Sequence, residues 1–213
     1  MNRPAAFLKD SRASSAAEFA LVLPLVLLFL FGIIDVGLYA WQINRDEKAT
    51  QMGARYAVVT NPVAPGLTTE RYVGQVVGGV TLGQGDRIPA AALGLITCNT
   101  TSCACTTAPC PANLGYDAAA FDSIVGNMRR FDRNITDAHV RVQYSGSGLG
   151  YAGDPNGMEV APLTTVRLNG DAGNAGDDLR FTAVTLSTFG ASARLPSFSY
   201  TLPMEDGSGT RSN

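Results

Sequence analysis

Basic runs are missing from this 213-residue chain: its 16 Lys and Arg residues are scattered among 18 Asp and Glu, for a net charge of -2. Nothing in it attracts a phosphate backbone, which argues against nucleic-acid binding. Histidine is scarcer still. Any Ser/His/Asp site would have to be built around His139 alone, at the expected start of a strand, and a plain surface histidine is the simpler reading. The loops Asp154-Pro155-Asn156-Gly157-Met158-Glu159 and Asp171 to Asp178 are rich in oxygen ligands but lack the twelve-residue spacing of an EF-hand, so turn chemistry explains them. No cofactor is implied. Only 16% of residues are charged against 46% hydrophobic, and much of that hydrophobicity is gathered near the start of the chain.

What is there begins with that segment. From Phe19 to Ile34 every residue is apolar or small, and with Asp35 as the interruption the run continues to Trp41, 23 residues in all. A helix of that length spans roughly 34 Å, enough for a hydrocarbon core of about 30 Å. Tyr39 and Trp41 then fall near one interface, where amphipathic rings prefer to sit. Arg3, Lys9 and Arg12 precede the run against the single acid Asp10, and this positive excess holds the N-terminus in the cytoplasm. The expected topology is single-pass, with the rest of the chain extracytoplasmic; that the membrane is the inner one is implied by the family resemblance given below. A cleaved secretory signal is a poorer fit, because its apolar core is shorter and ends in a small-x-small site, which Asp35-Val36-Gly37 does not offer.

Glu18 stands at the mouth of this run. A carboxylate in a first helical turn is favoured by the unpaired N–H groups there, and it can rest at the lipid headgroups. A sharper reading starts from cost: drawn toward hydrocarbon, Glu18 would seek a cation, and the free amine of a trimmed chain could supply it. The stretch S-S-A-A-E-F-A-L-V-L-P from Ser14 to Pro24, with G-I-I-D-V-G at Gly32 to Gly37 and A-R-Y-A at Ala54 to Ala57, resembles the TadE-like pseudopilins of the tight-adherence (Flp) pilus machinery. The resemblance is strongest over residues 12 to 60. A weaker echo lies in Val166-Arg167-Leu168 and in Leu195-Pro196 to Leu202-Pro203, followed by Glu205-Asp206. It implies cleavage by a membrane-embedded prepilin peptidase between Ala13 and Ser14, with Ala13 standing where the family has Gly. It also implies assembly through Glu18, Phe19 and Pro24. Pro24 removes one helical hydrogen bond, and either kinks the helix or, still in its first turns, matters little. Trimming would leave 13 basic against 17 acidic side chains, a charge of -4.

Beyond Trp41 the segment to Val59 has Gly53 as its only glycine and no proline before Pro62, and Ala49, Met52, Tyr56 and Val59 recur at helical steps. The anchor helix is therefore expected to continue to about Val59, with Asn44 to Lys48 the place where it could break. Further helices are expected over Thr69 to Gly78, weakened by Gly74, and over Asp117 to Phe131, where Asp117 caps a stripe of Phe121, Ile124, Val125, Met128 and Phe131. Strands are expected over His139 to Tyr144, Thr164 to Leu168, Leu179 to Leu186 and Ser197 to Leu202. The fold class is α+β: a long transmembrane helix continuing into a domain with an antiparallel sheet, a pilin-like plan reached in part through the resemblance.

Cys98, Cys103, Cys105 and Cys110 lie within 13 residues as C-x4-C-x-C-x4-C. Two disulfides suit an oxidising compartment, either sequential (98 with 103, 105 with 110) or crossed (98 with 105, 103 with 110). Zinc sites favour shorter spacings, so no metal is expected. The organisation is thus a cytoplasmic leader at 1–13, a transmembrane and extended helix at 14–60 spanning the membrane over 19–41, and an extracytoplasmic domain at 61–213 with a Cys-rich loop at 98–110. The resemblance implies a minor pseudopilin, not an enzyme, acting in biogenesis of the adhesion pilus, with the membrane, the prepilin peptidase, other pseudopilins and pilus assembly proteins as partners. A membrane-tethered enzyme or ligand-binding domain is the alternative, and it lacks a catalytic constellation.

Overall fold

A computed structural model describes residues 11–155, 157–169, 178–187 and 190–205. The leader residues Arg3, Lys9 and Asp10, the loop residues Asn156 and 171–177, and Asp206 lie outside the described residues. The fold is α+β. Helix α1 runs unbroken over Ser11–Ala57, with Pro24 inside it and no break at Asn44 to Lys48. The chain divides into two compact units, one drawn from residues 1–42 and 180–193, the other from 43–179 and 194–213.

In the second unit, α1 buries a stripe of small and polar residues: Asp46, Ala49, Thr50, Gly53, Ala54 and Ala57. This corrects the expected stripe. Ala49 is buried, but Met52, Tyr56 and Val59 are only half-buried. Small side chains win the inner face because they let the helix backbone come close. A Cβ at Gly53 would meet the side chain of Met128 at 2.7 Å and that of Val166 at 3.5 Å.

Met128 belongs to α3 (Ala118–Arg129), which Asp117 caps by accepting a hydrogen bond from the Ala120 N–H at 3.0 Å. Its apolar side is buried through Phe121, Ile124, Val125 and Met128. The same unit holds an antiparallel sheet of β3 (Leu95–Cys98), β4 (Cys103–Thr107), β5 (Val140–Ser145), β6 (Leu163–Leu168) and β9 (Phe198–Pro203), in the order β4-β3-β5-β6-β9. Strands β5 and β6 alternate between buried and half-buried residues. Val140, Val142 and Tyr144 point into the core beside Thr164, Val166 and Leu168. The Tyr144 hydroxyl accepts the Val63 N–H at 2.9 Å, which fixes the chain just after α1. Burial pushes the Tyr144 phenol well above its ordinary pKa, the Val63 hydrogen bond working in the opposite direction.

The segment Thr69 to Gly78 is not a helix. A short helix, α2, occupies Gly66–Thr69, and the chain then turns into the two-residue strands β1 (Val76–Val77) and β2 (Val80–Thr81). Gly74, Gly78 and Gly79 hold positive φ angles of 84°, 59° and 83°, so the glycine that weakened the helical pattern ends it outright. These residues enclose a satellite core of Tyr72, Leu82, Ile88, Ala92, Ala152 and Val160. The buried Glu159 carboxylate closes it, accepting the Tyr72 N–H at 2.8 Å and pairing with Arg71 at 3.3 Å.

The cysteines sit on β3 and β4 and the turn that follows. Cys98 is bonded to Cys103 and Cys105 to Cys110, the sequential pairing. His139 ends a short 3-10 turn, where its Nδ1 accepts the Thr136 N–H at 3.1 Å, and β5 starts one residue later. Among the described residues, no three His, Cys, Asp or Glu side chains converge as a metal ion would require.

Candidate functional site: the apolar helix and its two carboxylates

The first unit holds the N-terminal part of α1 and a hairpin of β7 (Arg180–Thr182) and β8 (Ser192–Arg194). An expected strand over Leu179 to Leu186 is thereby shortened: β7 ends at Thr182, the Ala183 N–H still donates to the Ala191 carbonyl at 2.9 Å, and residues from Val184 turn alongside the helix. The cause is a side chain the strand pattern could not see. Asp35 Oδ1 accepts the N–H groups of Val184 at 2.9 Å and Thr185 at 3.1 Å, and Oδ2 accepts the Leu186 N–H at 3.0 Å. The Thr185 hydroxyl lies 2.7 Å from Oδ2 and 3.1 Å from the Phe31 carbonyl, so its single proton can serve either. Farther along the helix, the Tyr39 and Phe181 rings meet edge to face at a centroid distance of 5.5 Å.

Asp35 is thus buried within its own chain, 6% exposed. Residue-level reasoning takes it to the headgroups or to a partner's cation; the structure gives it backbone amides 149 to 151 residues away. Only the spacing of a distant hairpin could have revealed them.

The apolar residues around Asp35 are arranged in the opposite way. Leu21 is 78% exposed, Leu25 70%, and Phe19, Phe29 and Val36 about two-thirds, on every side of the helix. A water-soluble chain does not leave so long a stripe uncovered, since each such side chain gains about 1.5–3 kcal/mol when taken out of water. Among the described residues, this is one helix long and apolar enough to cross a membrane. It is of the kind that makes a single-pass anchor. Glu18 is exposed, one residue before Phe19, but α1 begins at Ser11, so this carboxylate lies past the first helical turn and not in it as expected. Pro24 lies six residues further on, inside the unbroken helix. The backbones of Ala13 and Ser14 lie in the first turns of α1. The structure therefore brings Ala13, Ser14, Glu18, Phe19 and Pro24 together on one helix, while the four cysteines belong to the other unit.

Residues 13–55 match the family model described as TadE-like protein. This segment is TadE-like. The match begins at Ala13, takes in Glu18, the whole apolar run and Arg45, and ends before the first strand. The weaker C-terminal likeness in Val166 to Leu168 and Leu195 to Glu205 lies outside it. No curated protein and no solved structure matches the chain significantly. The TadE-like match covers the apolar helix and its extension; the sheet domain lies outside it.

Proposed function

We propose that this chain is a minor pseudopilin, held in the inner membrane by residues 19–41 and acting in biogenesis of an adhesion pilus of the Tad (Flp) type. The observation that carries the reading is the uncovered apolar helix with Glu18 at its edge, lying inside the TadE-like match. Residues 1–13 form a cytoplasmic leader, a prepilin peptidase cuts between Ala13 and Ser14, and residues 61–213 work outside the cytoplasm. Two features support this orientation. Lys and Arg outnumber acids before the span, and the disulfides Cys98–Cys103 and Cys105–Cys110 suit an oxidising compartment.

The chemistry is packing rather than turnover. Apolar helix faces associate laterally in the membrane, where close contact and a few polar pairs supply the attraction. Glu18 pairs with the amine freed at Ser14, in its own or a neighbouring subunit. The domain beyond the span meets other pseudopilins and assembly proteins to prime or stabilise the growing fibre.

Deleting the chain from its own cell is expected to abolish surface pili. Supplying the full chain should restore them, and supplying residues 43–213 as a secreted fragment without the helix should not. Normal piliation in the deleted cell, scored by electron microscopy, would remove the reading.

A further inference from the structure

The hairpin of the first unit is apolar in a way its strands do not require. Between Arg180 and Arg194 the sequence holds no charged residue. Val184 at the turn is 65% exposed. Phe181, Ala183 and Leu186 face Gly32, Val36 and Tyr39 of α1 across a groove of about 360 Å³ lined almost wholly by apolar atoms.

Its place along the helix is also definite. Phe181 stacks at Tyr39, the Val184–Leu186 amides bind Asp35, and Thr185 reaches the Phe31 carbonyl. Phe31 precedes Trp41 by ten residues, a drop of about 15 Å at the helical rise. With Tyr39 and Trp41 at the interface, the turn lies among lipid chains. Irregular backbone survives at that depth only when protein satisfies its polar groups. Here one carboxylate takes three successive N–H groups and can also take a hydroxyl, and those donors in turn compensate a charge that hydrocarbon would penalise.

We infer that the β7–β8 hairpin, in its described residues 180–187 and 190–194, is re-entrant and enters the outer leaflet beside the anchor, held there by Asp35, with lipid acyl chains filling the groove between hairpin and helix. Arg180 and Arg194 mark its water-facing base, where arginine can reach the headgroups. Arg194 pairs there with Asp178 at 2.8 Å. The inference rests on the membrane reading of residues 19–41, and its test separates the two.

All four native cysteines are in disulfides. A single thiol can therefore be placed at Val184, at Ile33 on the exposed helix or at Ser123 on α3, and labelled with an environment-sensitive fluorophore. The full chain is reconstituted at low density in phosphatidylcholine and phosphatidylglycerol vesicles carrying acyl-brominated lipid. The Val184→Cys label is expected to lose about half its emission or more, as an Ile33→Cys label does, while the Ser123→Cys label stays bright. Adding Asp35→Ala should restore most of the emission at position 184 and leave position 33 quenched. A bright label at 184 beside a quenched one at 33 would overturn the hairpin's insertion and leave the anchor standing. Bright labels at both positions would overturn the anchor reading and the inference with it. Unlabelled Val184→Cys chains cross-linking to each other, with 184 unquenched when labelled, would assign the groove to a second copy and overturn the lipid. Unchanged quenching in the Asp35→Ala chain would overturn the role given to Asp35.

Discussion

Glu18→Ala is expected to reduce assembled pili at least about tenfold while the protein still enters the membrane, because the loss of one charge-assisted hydrogen bond, about 1.5–3 kcal/mol, corresponds to a tenfold change or more. The exposed carboxylate stands at the edge of an apolar run, four residues after the amine that trimming at Ser14 would create. In isolation it can remain among headgroups. When helices pack, water leaves, and the carboxylate needs its cation. Alanine removes the carboxylate yet favours insertion, so membrane fractionation should show normal amounts of protein. Glu18→Gln keeps the shape and loses the charge. It should fail nearly as badly if pairing with the amine is what matters, and Glu18→Asp should recover part of the function. Pili at normal density in the alanine variant would dismiss the pairing.

Arg45→Ala should cost about 2–4 kcal/mol of stability, because it removes the cation from a carboxylate that is fully buried. Asp132 has 0% side-chain exposure and lies 2.6 Å from the Arg45 guanidinium, itself 26% exposed. Arg45 Nε also donates to the Phe131 carbonyl at 3.0 Å, and Asp132 accepts the Asn134 N–H at 3.1 Å. The guanidinium therefore fastens α1 to the turn that follows α3. Asp132→Ala removes the charge itself, so the double variant should lose less than the two single variants together. Thermal unfolding of the full chain in detergent measures all three. A loss below about 0.5 kcal/mol for Arg45→Ala would show that water replaces the guanidinium without cost.

Local chemistry made some of this fold legible and hid the rest. Asp117 and the stripe Phe121, Ile124, Val125 and Met128 mark α3 because capping and 3.6-residue periodicity act within a dozen residues. Alternation marks β5 and β6 for the same reason. Strands β3 and β4 leave little local signal because they are short, rich in Thr and Cys, and defined by each other: Thr97 pairs with Ala104 and Cys98 with Cys103. Hydrophobicity does not mark the inner face of α1, because closeness of approach selects Ala49, Gly53, Ala54 and Ala57 there. At the candidate site, Glu18 and the apolar run are visible in one stretch of sequence. The partners of Asp35 are set by tertiary structure and could not be read from the residues beside it.

Whether the apolar helix remains part of the working protein is what everything else depends on, and the first residue of the chain extracted from its own membrane answers it most directly. N-terminal sequencing is expected to begin at Ser14, leaving Glu18 and the whole of 19–41 in place. A chain beginning beyond Trp41 would show that the helix is discarded as a signal, and would contradict the anchor, the assembly role and the hairpin together.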